Sequence, residues 1–109
     1  MIISGVSKES AEGEGSFVDA QLGQLVTSTA GRDSGRQYVV VGFNGERILV
    51  ADGDLRSVKR PKPKNIRHIC LHSMVAEEVR TKLAANIPVS DADIRTALER
   101  LQDDGEEVD

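Results

Sequence analysis

The dipeptide Asn44-Gly45 lies between two runs of strand-forming residues, Gln37-Tyr38-Val39-Val40-Val41 and Arg47-Ile48-Leu49-Val50. An Asn-Gly pair so flanked is the strongest short-range signal for a β-hairpin, because both residues tolerate the positive φ of a type I′ turn. That one feature commits the middle of the chain to antiparallel sheet. Leu25-Val26-Thr27 reads as a strand before the hairpin, and Gly31-Arg32-Asp33-Ser34-Gly35 as the loop linking the two. Two glycines in so short a loop point to unusual dihedrals or close backbone approach. Asp52-Gly53-Asp54 is a further turn. Leu55 and Val58 suggest a short fourth strand, and Ile66 and Ile69 a fifth, entered after Pro61 and Pro63. Five short strands joined by tight turns are expected to close into a small barrel, which removes exposed edges.

The C-terminal part has a different period. Val75, Val79 and Leu83 recur every four residues after Ser73, a fair N-cap, with Glu77 and Glu78 near the positive end of the dipole. Asn86 and Pro88 stop this helix. Ser90-Asp91-Ala92-Asp93 is a loose capping box, and Val89 can staple onto Ile94. Ile94, Ala97, Leu98 and Leu101 then follow helical spacing. Two helices are expected, about 73–86 and 91–102. Their apolar stripes suit packing on each other and on the barrel, or a protein-binding face.

With only Phe17, Tyr38 and Phe43 as aromatics and no Trp, the core must be aliphatic and small. The 109 residues amount to one domain. Residues 4–16 are almost wholly Gly, Ser and acid, too polar to offset their ordering entropy. The expected organisation is α+β. It comprises a disordered acidic segment (1–16), the barrel (17–72), a helical hairpin packed on it (73–102) and a disordered acidic tail (103–109).

The net charge of −4 argues against nucleic acid when taken whole. Divided along the chain, it points the other way. Residues 21–68 carry net +5, against −3 before them and −6 after. Arg56 to His68 holds six bases and no acid. Such asymmetry marks a polyanion partner. One candidate site is the Gly31–Gly35 loop, where Arg32 and Arg36 offer forked donors and low bulk lets backbone N–H groups approach phosphate. The other is Arg56, Lys59, Arg60, Lys62, Lys64 and Arg67. There Pro61 and Pro63 hold the chain extended, so the cations are spaced like rungs along a rod. Lysine-rich contacts position a nucleic acid more than they read it, and few aromatics are at hand to stack on bases. Structured or double-helical RNA, read by shape, is the expected ligand.

Other functions find little footing. No apolar run approaches the roughly 18 residues of a membrane span, and Met1–Gly15 lacks the pattern of a secretory signal. One cysteine, Cys70, suits a reducing cytoplasm. His68, Cys70 and His72 alternate as if on one strand face, but a tetrahedral zinc site wants a fourth ligand. No metal, cofactor, catalytic set or small-molecule substrate is expected; Asp52 and Asp54 read as turn residues.

Three stretches, Leu22-Gly23-Gln24-Leu25-Val26, Ala30-Gly31-Arg32-Asp33-Ser34-Gly35-Arg36 and Val39-Val40-Val41-Gly42, resemble a KOW motif, the strand–loop–strand element of an SH3-like barrel. With Ile48-Leu49-Val50-Ala51-Asp52-Gly53, Lys59-Arg60-Pro61-Lys62-Pro63-Lys64 and Asp93-Ile94-Arg95, the stretch from about Leu22 to Ala97 is similar to one bacterial group. This group is the KOW-domain RNA-binding proteins that resemble large-subunit ribosomal proteins of archaea and eukaryotes. The resemblance implies RNA contact through the Gly31–Gly35 loop and a ribosomal RNA or ribosome partner. It also leaves open a second reading, an SH3-like module that binds ribosomal or transcription proteins through the helices.

Overall fold

The hairpin forms, one residue away from the expected turn. In the structure, a computed structural model that describes residues 20–107 with side chains to Gln102, Asn44 pairs with Arg47 and the two-residue loop is Gly45-Glu46. Gly45 has φ +63°, whereas Asn86 is the non-glycine residue with positive φ among the described residues. Positive φ confined to the first loop residue is the mark of a type II′ turn, so glycine alone meets the requirement and Asn44 ends the strand.

The strands are β1 (Gln24–Ser28), β2 (Gln37–Asn44), β3 (Arg47–Ala51), β4 (Lys62–Asn65) and β5 (Ile69–Val75). They form one antiparallel sheet in the order β4-β3-β2-β1-β5. Helix α1 spans Glu77–Ala84 and α2 spans Asp91–Glu107. The α+β reading therefore holds, but the closed barrel does not. The edge strands β4 and β5 are joined by a single 3-10 turn, Ile66–His68, yet share no ladder. Irregular register in β1 between Gln24 and Val26, and in β2 between Val40 and Gly42, bends the sheet towards itself without sealing it.

Alternation along the two central strands sends side chains to two cores. Leu25 and Val39 face the helices, among Val79, Ile94, Ala97, Leu98 and Leu101. Val26, Tyr38, Val40, Ile48 and Val50 form a second core, with Ile66, Ile69 and Leu71 packed around them. Covering both faces explains the continuous apolar run Tyr38-Val39-Val40, where a half-buried strand would alternate.

Two glycines seat the helices. Gly23 has φ +82°, and an added Cβ would lie 2.8 Å from the Ala76 carbonyl oxygen at the start of α1. Gly53 has φ +77°, and a Cβ there would collide with the Asp91 carbonyl oxygen at the start of α2. The capping box forms: the Asp93 amide donates to Ser90 Oγ and the Ser90 amide to Asp93 Oδ2, both at 3.1 Å. Val89 packs in the same cluster as Ile94, as the staple requires.

Several expectations shift. The proposed fourth strand at Leu55 and Val58 is a turn region, and β4 is instead the Lys/Pro run. Pro63 is tolerated because β4 is an edge strand. Ser73 belongs to β5 rather than capping α1, whose N-cap is Ala76. The ladder with β1, ending at Gln24–Val75, claims Ser73 to Val75 before a helix can start. Asn86 sits at φ +60°, the left-handed stop just past α1. Helix α2 continues to Glu107 through much of the segment read as an unordered tail. Once Ile94 to Leu101 are anchored, extending a helix costs far less than starting one. The acidic segment 1–16 lies outside the described residues.

Candidate functional site

The Gly31–Gly35 loop is organised from beneath by Asp33. Its Oδ1 accepts from Ser28 Oγ at 2.8 Å and Lys64 Nζ at 3.2 Å; its Oδ2 accepts from Tyr38 Oη at 2.7 Å and Lys62 Nζ at 3.0 Å. Lys64 Nζ also donates to the Ala30 carbonyl at 3.3 Å. Burial on its own would raise the Asp33 pKa. The donated hydrogen bonds of Tyr38, Lys62, Ser28 and Lys64 outweigh it and hold the carboxyl well below the usual range. Tyr38 moves the other way: burial first, then its bond to Asp33 and the negative charges of Asp33 and Asp52, push the phenol up.

A second carboxylate, Asp52, organises the turn after β3. Its Oδ1 accepts the amides of Asp54 at 3.0 Å and Arg56 at 2.8 Å, and its Oδ2 accepts from Arg36 Nη1 at 3.0 Å. Asp33 thus ties the Gly31–Gly35 loop to β4, and Asp52 ties Arg36 to the Arg56 turn. The two basic segments, separate in sequence, are held to one another by two carboxylates.

This assembly changes what several candidates can do. Lys62 and Lys64, two residues apart on β4, share one face and both turn inward to Asp33. Lys64 is buried, so it is a structural cation rather than a phosphate ligand. Arg36 is partly exposed but paired with Asp52. Gly31 and Gly35 take φ of +86° and +92°, as the loop reading required. The amides of Ser34, Gly35 and Arg36 donate inward to the carbonyls of Gly31, Ser28 and Asp33. Those amides are therefore not offered to phosphate.

Arg32, Arg56, Lys59, Arg60 and Arg67 are exposed, and none has a carboxylate within 4.0 Å among the described residues. In the helical half, by contrast, Arg80, Lys82 and Arg100 pair with Glu77, Asp93 and Glu78. Arg32 and Arg36 line a shallow groove whose other wall is α2, and Arg95 of α2 enters it. His68 lies in the 3-10 turn, outside the strand that carries Cys70 and His72, so the three do not share a strand face. His72 Nε2 lies 2.7 Å from the Thr27 hydroxyl.

Sequence reasoning missed Asp33 and the tertiary role of Asp52. An Asp in a Gly-rich loop reads as turn chemistry, and only the partners that tertiary structure brings reveal a buried anchor. No protein-family model matches the chain, and no curated protein matches it. Among the described residues, no helix is long and apolar enough to cross a membrane.

Proposed function

We propose that the chain is a cytoplasmic RNA-binding protein of the KOW type, with an SH3-like sheet, that grips structured RNA such as ribosomal RNA. The observation that carries this reading is the split in how charge is compensated. Cations of the helical half sit mostly in ion pairs, while Arg32, Arg56, Lys59, Arg60 and Arg67 of the sheet half stand exposed without partners among the described residues. Uncompensated cations held on a rigid scaffold are what a polyanion requires. The single cluster that joins Ile48 and Val50 of β3 to Ile69 and Leu71 of β5, three places apart in the antiparallel sheet, and the 3-10 turn between β4 and β5 support the SH3-like assignment. The ligating set narrows to these five residues with Arg36 at its edge; Lys62 and Lys64 act by holding the loop in place.

Filter binding of the full chain to ribosomal RNA fragments across a salt series tests the reading. Five neutralised phosphates give a slope of about −4.5 in log K against log salt, by analogy with duplex nucleic acid. Arg32→Ala should weaken binding and shallow that slope by about 1 while leaving folding stability within about 0.5 kcal/mol. No binding, or a flat salt response, would overturn it.

A further inference from the structure

Leu55 is 69% exposed, the most exposed large apolar side chain among the described residues. It does not sit on a loose loop. The amides of Asp52 and Gly53 donate to the Arg56 carbonyl at 3.1 and 3.0 Å, closing residues 52–56 into a ring of backbone. Asp52 Oδ1 fixes the amides on either side of Leu55, those of Asp54 and Arg56. Gly53 abuts the first turn of α2, close enough that a single methyl would collide with it. A leucine held out to solvent by so many local bonds has already lost its backbone freedom on folding, so docking it costs little further entropy.

Its surroundings indicate what it docks on. Arg56 adjoins it on one side and the exposed Asp54 on the other, and Lys59 and Arg60 follow in the next turn; the three cations outnumber the one acid and are exposed without carboxylate partners among the described residues. Resting on the RNA-binding reading above, we infer that Leu55 is the apolar tip of a preformed probe that seats in the minor groove of double-helical RNA. That groove is wide and shallow in A-form RNA and lined by sugars, so it admits a branched aliphatic tip while the neighbouring cations reach the phosphates on either side. The B-form minor groove is narrow, about 6 Å, and the same tip meets it poorly.

The test compares the full-length protein with Leu55→Ser on an RNA hairpin duplex and on a DNA duplex of the same sequence, each across a salt series. Loss of one buried aliphatic contact should weaken RNA binding roughly five- to tenfold. The salt slope should stay unchanged, since leucine neutralises no phosphate. Binding to DNA should change less than twofold, and the melting temperature should not fall. Unchanged RNA affinity in the variant, with the unaltered protein still binding, would overturn the inference and leave the RNA reading standing. Equal weakening on RNA and DNA would overturn the minor-groove assignment, as would a fall in melting temperature, which would make Leu55 a packing residue. Retained RNA affinity with loss of a co-purifying protein would assign Leu55 to a protein contact instead. Failure of the unaltered protein to bind either duplex would overturn the RNA reading itself.

Discussion

Asp33 and Asp52 each organise one of the two turns that carry candidate basic residues, and they do it by different means. Asp33 gathers side chains from three elements: Ser28 of β1, Tyr38 of β2, and Lys62 and Lys64 of β4. Asp52 gathers mainly the backbone of its own turn, with Arg36 as a single long-range partner. The first carboxylate is therefore a tertiary anchor, and the second a local brace. The difference shows how a basic surface is kept rigid without neutralising it. Each acid is matched by cations or amides that point inward, and the outward cations keep their charge.

Removing the anchor should do the most damage. Asp33→Ala leaves Lys64 buried without its carboxylate and strips Tyr38 of its acceptor, a loss of about 3–4 kcal/mol measurable by denaturant unfolding. Removing the brace should cost less. Asp52→Ala frees two amides at a turn open to water and one partly exposed guanidinium, about 1–2 kcal/mol in the same assay. If the two losses prove equal, the distinction between anchor and brace fails.

The smallest effect is one of pH. The Asp33 carboxyl is depressed in the folded state, so its contribution is fully present above the unfolded value and is lost as pH falls towards the folded one. With an ordinary aspartate near 3.9 when unfolded, the wild-type advantage over Asp33→Asn should shrink by about 1 kcal/mol between pH 5 and pH 3. Parallel pH profiles for wild type and Asp33→Asn would remove Asp33 from the role of charged anchor.

The hairpin, the Gly31–Gly35 loop and the capping box were all legible along the chain, because each depends on residues within a few positions of one another. The boundary between β5 and α1 was not. Val75, Val79 and Leu83 fit a helix equally well, and only pairing with β1 assigns Val75 to the sheet. The extended backbone of the strand Lys62–Asn65 follows from Pro61 and Pro63. That its lysines turn inward was hidden, since nothing near them in sequence signals a carboxylate about thirty residues upstream.

What the sequence by itself determined is local: a β-rich middle, a helical end, a positive belt between acidic segments, and glycines where the backbone must turn. Those follow from propensity, period and sterics, which act over a handful of residues. Tertiary structure alone decided which cations face the solvent and which are absorbed. That choice rests on burial: a carboxylate removed from water must find donors, and Asp33 found them on β4. Two of the six bases between Arg56 and His68 thereby became part of the scaffold, and the remainder became the surface.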